Sequence, residues 1–246
     1  MRSSSKFLSL ALVVAVTATA CAESDAPLSD EDYDDIALSI GATTLAGGEL
    51  GAIPDVLALA TGRMPRGFAL AADGTYHAER EGRDQDYTVT CHDAEDALLA
   101  VCGSDTTRAD STVAWMGGID LPLVTSASAR TATWAFTDLL SDTATLEGTS
   151  AFTYDTEQRI PERDLVSTYH LDYTAHYDAV EVDVASGRPN GGSIHYEVSV
   201  EHAQNAAKRA FEVAADVTFQ SGGGATITMD GRVYRVDAVT GLVSRP

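Results

Sequence analysis

LVSTYHLDYTAHYD, residues 165–178, alternates apolar and polar side chains from Thr168 onward. Tyr169, Leu171, Tyr173, Ala175 and Tyr177 take one parity. Thr168, His170, Asp172, Thr174, His176 and Asp178 take the other. Period two is the mark of a strand with one face on a core and one in water. A slip of one residue would bury two aspartates and two histidines with no lysine or arginine in the run to pair them. The register is therefore strongly specified, with Tyr173 buried and Asp172 exposed.

The same period recurs on both sides. Val113, Trp115, Ile119 and Leu121 share a parity, as do Ala132, Trp134 and Phe136, and then Leu146, Phe152 and Tyr154. Ile194, Tyr196, Val198 and Val200 alternate with His195, Glu197, Ser199 and Glu201. Phe211, Val213, Ala215, Val217 and Phe219 alternate with small or charged residues. Asp73-Gly74, Asp230-Gly231, Gly187 to Gly192, Gly222 to Gly224 and Thr240-Gly241 punctuate these runs as turns. Connections this short favour sequential antiparallel pairing, because parallel strands need long crossovers. The expectation is an all-β antiparallel meander of about ten strands, curled into a curved sheet or incomplete barrel. Ahead of it, Tyr33, Ile36, Ala37 and Ile40 follow helical spacing, with Ser29 or Asp30 as cap. After the break at Gly47-Gly48, Pro54 can open a second short helix that runs to Ala60 and stops at Gly62. The two helices are expected over one opening.

The first residues read differently. Arg2 and Lys6 form a basic start, Phe7 to Ala20 is apolar, and Ala18-Thr19-Ala20 precedes Cys21. That arrangement is a secretory signal peptide, too short for a membrane span of about 20 residues. Its end resembles the lipobox of bacterial lipoproteins, with Ala18 where the family usually has Leu. The resemblance implies a diacylglycerol on the Cys21 thiol, cleavage before it and a third acyl chain on the freed amine. Ala22 in place of an aspartate implies the outer membrane. Beyond Cys21 the chain resembles all-β lipoproteins of Gram-negative envelopes only in architecture. That class implies no particular activity and no cofactor. The divisions expected are residues 1–20 as signal peptide, 21–32 as lipidated N-terminus and tether, and 33–246 as one β-rich domain.

The chain has 246 residues and a formal charge of −21, which becomes −23 once Arg2 and Lys6 leave with the leader. Such a surface does not hold nucleic acid, whose phosphates need basic partners. It also repels anionic head groups, so acyl chains would carry the membrane contact. Cys91 and Cys102 make an even pair in an exported chain and read as one disulfide. Hairpin arms at Thr88–Asp93 and Leu98–Gly103, turning between Asp96 and Ala97, would set them opposite each other.

Candidate chemistry is sparse. His170, Asp172, His176 and Asp178 share one strand face, and His195, Glu197 and Glu201 could lie on a strand nearby. Imidazole with carboxylate suits a divalent metal, yet alternation alone predicts a polar row of this kind. Tyr169, Tyr173, Tyr177 and Tyr196 could stack on a sugar or lipid, or simply edge a β core. No G-x-S-x-G, H-E-x-x-H or P-loop occurs; Gly148 to Phe152 lacks the second glycine. The leading reading is a non-enzymatic outer-membrane lipoprotein with a structural or binding role, facing periplasm or surface. A carrier of an apolar ligand such as an acyl chain is the alternative, and a metal-dependent envelope hydrolase the third.

Overall fold

The computed structural model describes residues 28–44, 49–80, 82–161, 165–205, 207–237 and 242–246. The leader, Cys21, most of the tether, Gly47-Gly48 and Thr240-Gly241 lie outside the described residues. Two helices come first, α1 (Asp30–Thr44) and α2 (Ile53–Ala60), joined by a 3-10 turn at Glu49–Ala52. Then follow β1 (Ala69–Leu70), β2 (Tyr76–Arg80), β3 (Arg83–His92), β4 (Arg108–Leu121), β5 (Val124–Thr137) and β6 (Thr143–Ile160). The chain continues through β7 (Leu165–Asp183), β8 (Pro189–Gln204), β9 (Ala207–Gln220), β10 (Gly224–Met229), β11 (Arg232–Asp237) and β12 (Val243–Ser244).

All twelve strands pair antiparallel in sequence order, in one curved sheet that does not close. The meander is therefore as expected, with short edge strands raising the count. Two-residue edges at β1 and β12 offer little backbone for another chain to pair with.

Parity holds along β7. Tyr173 is 3% exposed, whereas Asp172 faces the solvent side. Its strand runs past Asp178 through a bulge, where the ladder to β6 and β8 slips. Inward positions change there from Tyr177 to Val180 and Val182. Ala179 takes a φ of 44° in the bulge. Gly192 packs opposite it with a φ of +78°, and a Cβ there would stand 2.2 Å from the Ala179 carbonyl oxygen. Only glycine fits so close a backbone approach. The loop expected at Gly187 to Gly192 thus ends early, as β8 already begins at Pro189.

The helices pack into the core of the curved sheet. Ile36, Ala37, Ile40, Ile53, Val56, Leu57 and Ala60 are at most 2% exposed and join one apolar cluster with the inward strand positions. Helix α1 starts within the stretch expected to be tether. Ser29 N–H donates to Asp32 Oδ2 (2.7 Å) and Asp32 N–H to Ser29 Oγ (3.3 Å), a reciprocal cap. Acidic side chains in that first turn also suit the positive end of the helix dipole. Ion pairs hold it to β9, β11 and the residue after β12: Arg209 to Asp32 (2.8 Å), Arg232 to Asp30 (2.9 Å), and Arg245 to Asp34 (2.8 Å) and Asp30 (4.0 Å).

Two expectations fail locally. Ile119 and Leu121 share the parity of buried Val113 and Trp115, yet they are 55% and 56% exposed. Burial on β4 ends at Trp115, and the strand continues beyond the core. The second concerns Cys91 and Cys102, which stand at disulfide distance, with S–S 2.06 Å and Cα–Cα 5.4 Å. They do not face each other across a hairpin. The turn centres on Glu95, with His92 opposite Leu98 and Asp93 N–H donating to the Ala97 carbonyl. The Asp93 carboxylate sets that register by accepting from Glu95 and Ala97 N–H. Cys102 then comes back to Cys91 through an irregular loop, while β4 takes the ladder position beside Cys91 through Ala109.

Candidate functional site: the outer imidazole and carboxylate face

The solvent face of β6 to β9 carries rows of imidazole and carboxylate side chains. Cross-strand register, not position along one strand, decides which groups meet. Thr149, His176, His195 and Asp216 form one row across β6 to β9. Asp155, His170 and Glu201 form another across β6 to β8. Residues two apart on a strand share a face, but His170 and His176 are six apart, about 20 Å along an extended chain. They do not converge. Among the described residues no group of three His, Cys, Asp or Glu side chains is placed to hold a metal ion.

Each histidine instead has its own partner. His170 bridges two carboxylates, Nδ1–H to Asp155 Oδ1 and Nε2–H to Asp172 Oδ2, both 2.6 Å. Both ring nitrogens donate only in the imidazolium form. The hydrogen bond to Asp155 is the main cause that raises the His170 pKa above its ordinary value. Partial burial opposes it and Asp172 adds to it. His195 Nδ1 meets Asp216 Oδ1 at 2.8 Å, and His176 Nδ1 reaches the Tyr177 carbonyl at 3.3 Å. Glu201 is taken by Lys208 at 2.9 Å. Such a face offers charge and hydroxyls, with the His170 imidazolium form favoured by its two carboxylate partners.

Three shallow grooves lie on this face, of about 470, 620 and 700 Å³. They arise because short Thr and Ala side chains on β5 and β6 sit beside longer ones on β7 and β8. His176, His195 and Glu197 edge the first; Asp172, Glu197 and Glu212 the second; Asp155, His170 and Glu201 the third.

The tyrosines are not a ligand platform. Tyr173, Tyr177 and Tyr196 are buried in the core, and Tyr169 is half-buried and bonded to Ser39 of α1. One core residue carries a readable signal that belongs to no motif. Arg130 sits two before Ala132, on the inward parity, and is 2% exposed. Its guanidinium lies 4.8 Å from the Phe152 ring centre, 5.1 Å from Trp115 and 5.6 Å from Tyr173, and it donates to Tyr173 Oη. Stacking on aromatic faces is a known way to hold a desolvated guanidinium.

The His170 clamp has a pH consequence. Its folded pKa lies above the unfolded value of about 6.5. The stabilisation is therefore fully present below that value and is lost as pH rises through the folded pKa. Proton NMR titration is expected to place the His170 midpoint above the ordinary histidine value of about 6.5. Asp155→Asn is expected to lower it, and an unmoved midpoint would refute the clamp.

No known protein family, curated protein or solved structure matches this chain.

Proposed function

We propose that the chain is an envelope lipoprotein, held in the outer membrane by acyl chains on Cys21, whose folded part has a non-enzymatic structural or binding role. The observation that carries this reading is the filled inner face. A carrier keeps its apolar ligand in the hollow of a curved sheet, and here α1 and α2 occupy that face with side chains buried to 2% exposure or less. The outer face, with its histidines each partnered by a separate group, supports presentation of a polar surface rather than hydrolysis at a metal. The basic start, apolar run and small residues before Cys21 support export and acylation. The disulfide-distance pair suits an oxidising compartment.

Intact-mass measurement on protein extracted from membranes tests the anchor. A mature chain starting at Cys21 and carrying added acyl mass is expected. A chain that starts there without acyl mass would overturn the anchor.

A further inference from the structure

We propose that the hairpin between β4 and β5 is an apolar lip that seats this end of the molecule in a lipid surface. The proposal rests on the reading of Cys21 as the membrane anchor. Ile119, Leu121 and Leu123 are each at least 50% exposed, and Val124 stands opposite Leu121. All four lie within one turn and its flanks, separated only by Asp120 and Pro122. The tip is not a loose loop, since the Leu123 carbonyl accepts from Arg159 N–H of β6 at 2.9 Å. A contiguous cluster of this kind exposed at one hairpin marks a contact surface.

Where the chain enters says what covers it. Hairpins β4–β5, β6–β7, β8–β9 and β10–β11 all turn at one end of the sheet. Helix α1 begins at that same end, because Asp32 meets Arg209, Tyr33 Oη donates to Asp230 and Asp30 meets Arg232. From Cys21 to Leu28 a backbone reaches at most about 25 Å at about 3.5 Å per residue. An anchored Cys21 therefore holds the bilayer surface close to the end that carries the lip.

Charge points the same way. Carboxylates repel anionic lipid. At this end Asp30, Asp32, Asp34, Glu157 and Glu201 are each matched by a base, Arg232, Arg209, Arg245, Arg159 and Lys208, while Glu31, Asp84 and Asp120 are exposed carboxylates of the same end. The opposite end also exposes apolar groups, Leu98, Val101 and Leu140. Leu98 and Val101 sit on the β3–β4 connection and Leu140 on the β5–β6 turn, among Asp93, Glu95, Asp105, Asp138 and Asp142, which a bilayer surface disfavours. Leucine and isoleucine side chains at a tethered end enter the head-group boundary to a depth of about 5–10 Å.

The test uses the full chain purified from membranes and reconstituted into vesicles of phosphatidylcholine and phosphatidylglycerol. An environment-sensitive dye is placed at Leu123→Cys or, at the far end, at Leu140→Cys, and the intact mass of each preparation is recorded. Blue-shifted, several-fold brighter emission at position 123 but not at 140 is expected. Acyl mass with equal, water-like emission at both positions overturns the lip and leaves the anchor standing. A shift at 123 on a chain without acyl mass supports the lip and overturns the anchor. A shift that needs no vesicles and grows with protein concentration assigns the tip to a second copy of the chain, and so overturns the proposal. Neither acyl mass nor a shift overturns both.

Discussion

Tyr173→Ala is expected to destabilise the fold by about 3–5 kcal/mol, the range for truncating a buried large aromatic. The ring stands 5.0 Å from Phe152 and 5.2 Å from Tyr196, centre to centre, and its hydroxyl accepts from Arg130. Removing it leaves a cavity and takes a hydrogen-bond partner from a buried guanidinium. Tyr173→Phe keeps the ring and loses only that bond, so about 1–2 kcal/mol is expected. Asp172→Ala, one residue away on the solvent face, is expected to cost about 0.5–1 kcal/mol, because its pair with His170 is half-exposed. Urea unfolding followed by tryptophan fluorescence reads all three, as Trp115 and Trp134 lie in the same cluster. If Asp172→Ala proves the most damaging, the outer face is a packed or ligated site and the assignment of faces is wrong.

Loss of the Cys91–Cys102 link has the next largest expected effect. The residues are 11 apart in sequence, and closing a loop of that size is worth about 3 kcal/mol on the chain-entropy model. The location adds to it. A Cβ on Gly62, just after α2, would stand 2.9 Å from the Cys102 carbonyl oxygen, so the loop lies tight against the end of that helix. Cys91 itself is 1% exposed, which shields the link from reductant while the fold holds. The paired substitution Cys91→Ser and Cys102→Ser is expected to lower the urea midpoint clearly, with α2 losing amide protection before the strands. Equal midpoints with and without the link would show that it contributes nothing.

Face and topology were legible because they depend on local pattern. The tyrosine stripe of β7 has one inward solution, and two-residue turns such as Asp230-Gly231, with φ of 44° and 78°, dictate hairpins. What the pattern cannot carry is anything decided by a distant segment. Ile119 and Leu121 have the right parity, but burial also needs a distant segment packed opposite, and nothing in their neighbourhood states where the core ends. Asp155 became a partner of His170 only through the register of β6 on β7. Asp93 drew the disulfide loop into an Asx turn and moved its centre, a side-chain effect that strand alternation does not encode. Arg130 was readable by parity, but a cation on an apolar stripe is easily discounted until three rings are seen around it.

The ties of α1 to the far end of the chain also set an order of assembly. Each strand of the meander finds its partner next in sequence, so hairpins can zip as they emerge. Helix α1 cannot finish in that way. Tyr33 waits for Asp230, 197 residues later, Asp30 for Arg232, 202 later, and Asp34 for Arg245, 211 later. In a chain made from its N-terminus, these polar ties of the first helix form only when almost the last residue is present. Closing those long loops comes at the end, so the ion pairs of α1 form after the hairpins of the sheet have paired.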